Sequence, residues 1–120
     1  MMLYEVALLL LFVKHWACDF VFQTPAMIAA KSQYRSWPSI LHSLHHAGMT
    51  FLIFALGGVV LALVLALIDF VLHYHIDYAK VKHGETDSTT SRYWNHFGLD
   101  QLAHYVTYLI IVAIFVRIVE

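Results

Sequence analysis

Residues 47–68 run for 22 positions without one charged side chain, and Gly57-Gly58 lies at the centre of the run. The apolar character extends over 39–80. As one unbroken helix this stretch would measure about 60 Å, twice a hydrocarbon core of about 30 Å. Glycine tolerates the dihedrals of a tight reversal, so the sequence predicts a helical hairpin folded at Gly57-Gly58. Composition says where such a hairpin would live. Hydrophobic residues make up 61% and charged residues 12% of the 120, with a mean hydropathy of +0.70, against roughly a quarter charged in soluble domains. The expectation is an all-α polytopic membrane protein. One membrane domain covers 1–120, with four transmembrane helices at about 3–23, 38–56, 59–80 and 96–118 in an up-down bundle, readable as two similar hairpins. Residues 1–13 resemble a signal-peptide core but lack a basic leader and a small-x-small cleavage site, so they read as a retained first helix. The net charge of −1 gives no reason to invoke nucleic acid, and the lone Cys18 excludes an internal disulfide.

Two segments share a pattern: His15-Trp16-Ala17-Cys18-Asp19-Phe20 and His73-Tyr74-His75-Ile76-Asp77-Tyr78. Each is His-aromatic-x-x-Asp-aromatic and closes an apolar run. Four residues apart, His and Asp project from one helix face. An ionisable group inside a membrane is expensive and marks function by default. The predicted topology gathers more of them at one end, the side holding loops 24–37 and 81–94 (the loop side). His15, Asp19 and Gln23 come from the first helix, and His42 with one of His45 and His46 from the second. Asp69, His73, Asp77 and Lys80 come from the third, and Asp100, Gln101 and His104 from the fourth. His42 and His73 lie at matching depths, each about 23 Å along its helix from the glycine pair. The opposite half is almost purely aliphatic and aromatic. His75, His83 and His96 fall off the shared stripe. Lys14, near mid-helix, has to snorkel or pair with an aspartate.

Imidazole and carboxylate are ordinary ligands for zinc, iron or manganese. The expected ligands are His15, Asp19, His42, His45, His73, Asp77, Asp100 and His104, with His46 competing with His45 for the inward place. Zinc is the first expectation, then iron or manganese, and the set is large enough for two ions. Acidic neighbours disfavour haem, and one cysteine makes iron–sulfur chemistry unlikely. Asp19, Asp77 and Asp100 are the candidate catalytic carboxylates, activating a metal-bound water. Gln23, Lys31, Lys80 and Gln101 are candidates to orient a lipid-type substrate. Lys31, Arg35, Lys80, Lys82 and Arg92 all fall on the loop side, against Arg117 on the other. The positive-inside bias therefore places the loop side in the cytoplasm and the termini outside. Trp37 and Trp94 suit the interfacial belt there.

In order along the chain, His15-x-x-x-Asp19-Phe20-x-x-Gln23 with Lys31, His42-x-x-His45, His73-x-x-x-Asp77-x-x-Lys80 and Asp100-Gln101-x-x-His104 resemble the small bacterial and phage membrane proteins grouped as domain of unknown function 3307. The resemblance spans nearly the whole chain. It implies an inner-membrane location and carries no activity. A weaker likeness, in residue types and helix placement only, links the chain to membrane-bound metal-dependent hydrolases. No zincin His-Glu-x-x-His, nucleophile elbow or phosphate-cradling glycine loop is present. The leading expectation is a metal-dependent hydrolase acting on a lipid or lipid phosphate at the cytoplasmic leaflet. The alternatives are a divalent-cation or proton transporter subunit, with a pathway completed in a homo-oligomer, and a small structural or regulatory membrane subunit.

Overall fold

The structure is a computed structural model that describes residues 3–120, and among these it is all helical, with no strand. Helix α1 (Leu3–Trp16) continues into a π-helical turn, Ala17–Val21, closed by Phe22 N–H donating to the Ala17 carbonyl. A short helix α2 (Pro25–Ala30) follows where the sequence suggested only a polar loop. Thr24 caps it by accepting from the Met27 N–H, and Pro25 takes the first position, where its missing N–H costs nothing. Helix α3 (Trp37–Phe54) ends in the 3-10 turn Ala55–Gly57. Helices α4 (Val59–His83) and α5 (Ser91–Val119) complete the chain.

The predicted reversal is present. Gly58 adopts φ 124°, ψ 128°, a region closed to most L side chains. A Cβ on Gly57 would come within 2.4 Å of the Phe115 ring, so the turn is pinned against α5 as well as bent. Helices α4 and α5 overrun their predicted ends. Three more residues join the end of α4, and α5 starts at Ser91 because Thr90 accepts from the Tyr93 N–H and caps it there. Three helical segments, Trp37–Gly57, Val59–His83 and Ser91–Val119, are long and apolar enough to cross a membrane.

The bundle extends 45 × 29 × 21 Å. Away from the loops its core is apolar: Ala7 and Leu11 of α1, Phe54 of α3, Leu65 of α4, and Tyr108, Ile111 and Phe115 of α5. The start of α1 thus meets the end of α3, which fixes the antiparallel order. The outer surface is apolar too. Leu52, Val60, Leu63 and Leu67 are all more than half exposed, as are Leu9, Leu102 and Leu109. Soluble monomers rarely show a continuous apolar surface of this kind.

Candidate metal centre

On α1 and α4 the order is His then Asp four residues later; on α5 it is Asp100 then His104. Because α5 runs the other way, all three helices place the carboxylate one turn nearer the loops and the imidazole one turn deeper. Helix α3 contributes imidazoles alone, His42 and His46. The π-helical turn carries Asp19 and brings its carboxylate to three helices at once. Asp19 Oδ1 lies 3.1 Å from His42 Nε2, 2.9 Å from His46 Nε2 and 3.8 Å from His73 Nε2, while Oδ2 lies 3.2 Å from His15 Nε2. Such turns recur at functional sites because the extra residue re-aims a side chain.

Asp77 faces it from α4. Its Oδ2 is 3.3 Å from His73 Nε2, 3.4 Å from His42 Nε2 and 2.7 Å from Lys31 Nζ; its Oδ1 is 3.2 Å from His104 Nε2. Asp100 Oδ1 is 3.6 Å from the same His104 nitrogen. Three groups of ligand atoms converge closely enough to hold an ion: Asp19 with His42, His46 and His73; His15 with His73 and His104; and Asp77 with Asp100 and His104.

Hydrogen bonding sorts these imidazoles. The Gln101 amide donates from Nε2 to Asp100 Oδ2 at 3.0 Å, so its Oε1 is the atom 3.1 Å from His15 Nε2. That nitrogen must carry a proton, which leaves His15 Nδ1 to accept from the Tyr108 hydroxyl at 2.7 Å. His46 is committed in the same way. Lys14, paired with Asp69 at 2.5 Å, donates to His46 Nδ1 at 3.3 Å, so His46 Nε2–H donates to Asp19 Oδ1. His15 and His46 therefore hold Asp19 in place. His42 and His73 differ. Their Nε2 atoms face each other at 3.2 Å between two carboxylates, and their buried Nδ1 atoms have no hydrogen-bond partner.

The four atoms His42 Nε2, His73 Nε2, Asp19 Oδ1 and Asp77 Oδ2 are separated by 3.1–3.8 Å in five pairings. A tetrahedron with zinc–ligand bonds of 2.0–2.1 Å has edges of about 3.3–3.4 Å. Charge points the same way. Asp69, Asp77 and Asp100 are buried and the Asp19 side chain is 8% exposed. Among the described residues Lys14 and Lys31 alone pair with them as full cations, leaving two negative charges if the histidines are neutral. One divalent cation would neutralise the site, which matters because uncompensated buried charge is costly.

Several sequence-level placements change. His45 is exposed on the outside of α3 and stands apart from the cluster, while His46 is fully buried within it. The buried stripe of α3 runs Ser39, Ser43, His46, Thr50 and Phe54, stepping by three and four, and His45 lies beside it. Asp69 does not join the ligand cluster. It binds Lys14 one layer deeper and accepts from the Thr50 hydroxyl at 2.6 Å. Gln23 donates to the Asp19 carbonyl at 2.8 Å and ties down the π-helical turn. Lys31 is spent on Asp77, and Gln101 on Asp100 and His15. Lys80 stays outside, its Nζ 5.5 Å above the Phe97 ring. His75, as expected, has a structural setting: its Nδ1 donates to the Val71 carbonyl and its Nε2 accepts from the Tyr34 hydroxyl. Lys14 takes the second of its two expected courses and pairs with an aspartate, whereas Thr50 and Tyr108 entered the site unannounced. Lys14 alone left a trace in the sequence, as a cation stranded in an apolar run.

Neither a curated protein nor a solved structure matches the chain. The residues of the cluster, from Lys14 to Tyr108, all fall within the stretch matched by one family model, residues 7–120, described as protein of unknown function (DUF3307). The chain belongs to the DUF3307 family.

Proposed function

We propose that this protein is a membrane-embedded metal-dependent hydrolase acting on a lipid or lipid phosphate, with its site in the cytoplasmic half of a four-span bundle in the bacterial inner membrane. With its π-helical turn, α1 covers 3–21, about 28 Å of helix, near the thickness of a hydrocarbon core. Trp37 and Trp94 are exposed at the loop-side starts of α3 and α5, as interfacial anchors would be. The basic residues of the same loops support a cytoplasmic placement.

The observation that carries the proposal is the facing pair His42 and His73 between Asp19 and Asp77, with the ligand atoms 3.1–3.8 Å apart in five pairings and the site short of two positive charges. A zinc, iron or manganese ion held there would supply an activated water. His15 and His46 position Asp19, and Lys31 positions Asp77. His104 with Asp77 and Asp100 forms a second group for another ion or for the general base. Asp100 Oδ1, buried and without a hydrogen-bond partner, is the free oxygen closest in character to that role. Elemental mass spectrometry of detergent-purified protein, prepared without a metal-chelating tag, tests the reading. Near-stoichiometric metal in the wild type that disappears in His73→Ala is the expected result. Folded, monodisperse and metal-free wild type would refute it.

A specific observation favours a second reading, a proton or cation transporter. Asp19, His46, Lys14 and Asp69 form one hydrogen-bonded line reaching from the cluster toward the apolar half. Beyond Asp69 the line meets Thr50, and the buried residues past it, Leu11, Phe54 and Leu65, offer no relay. Two protonated histidines would balance the charge as well as one metal ion, so metal-free protein would move the balance to this reading.

A further inference from the structure

We infer that the cavity between the end of α4 and the start of α5 binds the phosphate headgroup of an amphiphile whose chain lies along the apolar wall. The cavity measures about 340 Å³, at the lower end of the range for small-ligand sites. Lys80, His83 and His96 bring nitrogen to it, Ile76 and Leu99 form its apolar wall, and Asp100 connects it to the cluster.

Three lysines lie near the cluster, and they differ in one respect. Lys14 is paired with Asp69 and Lys31 with Asp77. Among the described residues Lys80 has no carboxylate within ion-pair distance; its ammonium rests over Phe97 at the side of the cavity. An unpaired cation beside a partly apolar space is a place for an anion. His96 adds a donor. Its Nδ1 accepts from the Glu85 N–H at 2.8 Å, so in the neutral ring the proton sits on Nε2. Asp100 joins the cavity to the cluster, and as an acceptor-only carboxylate it offers a phosphate no contact of its own. Its side chain is only 6% exposed, its Oδ1 has no hydrogen-bond partner, and it lines this cavity while standing 3.6 Å from His104 Nε2. A headgroup held by Lys80 and His96 would therefore sit one side chain from the candidate metal centre. One ammonium and an imidazole N–H beside aliphatic carbons fit an amphiphile better than a free anion.

The substrate class rests on the hydrolase reading, whereas the binding itself needs no metal, and the experiment separates the two. Full-length protein in detergent with a chelator present is titrated with short-chain phosphatidic acid, the matching phosphatidylcholine and inorganic phosphate, followed by native mass spectrometry. Saturable binding of phosphatidic acid is expected, weakened about tenfold by Lys80→Gln, the loss of one charge-assisted contact. Lys80→Arg should restore most of it, and Lys82→Gln, an exposed lysine outside the cavity lining, should leave it unchanged. Equal weakening by Lys80→Gln and Lys82→Gln would overturn the site, since that marks diffuse surface charge. Equal binding of the two lipids would overturn it as well, and so would inorganic phosphate binding as tightly as phosphatidic acid. Lys80-dependent binding in a protein that never holds metal would uphold this site and sink the hydrolase.

Discussion

Asp69→Asn should be among the most damaging single changes in the molecule, although Asp69 lies outside the ligand cluster. Lys14 and Asp69 are each about 1% exposed, their charged atoms are 2.5 Å apart, and the Thr50 hydroxyl donates to the same oxygen. At that distance and an effective dielectric of about 20 the attraction is about 7 kcal/mol, and desolvation of the two ions consumes most of it. The pair is therefore worth little net. The exposed weakness is a half-pair: asparagine would strand a buried ammonium beside His46, at a cost of about 3–5 kcal/mol. Lys14→Met should cost a similar amount for the mirror reason. The double variant Lys14→Met/Asp69→Leu should return to within about 1–2 kcal/mol of wild type, because a buried ion pair exchanged for apolar groups is close to neutral. Denaturant titration in mixed micelles, followed by circular dichroism, gives the three values and, as the two single losses less the double, a coupling energy of about 4–9 kcal/mol. Single variants within about 1 kcal/mol of wild type, or a double variant carrying the sum of both losses, would refute the reasoning.

Two further changes test the site and the turn. His46→Ala should lower metal content by releasing Asp19, while His45→Ala, on the exposed face of α3, should leave it at the wild-type level; elemental analysis of the two proteins side by side decides. Gly58→Ala should destabilise the bundle by about 1–3 kcal/mol, because φ 124° is strained for any residue with a Cβ, and unfolding in micelles measures the loss.

Much of this architecture is legible from periodicity. The hairpin at Gly57-Gly58, the gathering of polar residues at one end and the pairing of His15 with Asp19 all follow from spacing and from the cost of burying charge. What spacing leaves open is rotation about each helix axis. On α3, His45 and His46 differ by about 100°, and the choice between them depends on which stripe of Ser39, Ser43, Thr50 and Phe54 faces inward. The Lys14–Asp69 pair was half visible. A stranded lysine asks for an aspartate, but no local rule says which of several, 55 residues further on, it will meet. The helix α2 was hidden for another reason: only the Thr24-Pro25 start signal marks it, and its six residues carry no periodic stripe of their own. The π-helical turn has no sequence pattern to read, although it carries the Asp19 that meets three helices at once.

The inverted order of Asp100 and His104 on α5 has a kinetic consequence. Any cation entering from the loops passes the carboxylate residues of three helices first, since these lie one turn, about 6 Å of axis, nearer the loops than their imidazole partners. The paired side chains then converge to 3.2–3.6 Å. Carboxylates exchange their water and partners quickly and attract at long range; imidazoles attract little until they touch, then hold borderline-soft ions well. Capture and retention are thus divided between two ligand types, so that removing a carboxylate should slow loading, and removing an imidazole should hasten escape.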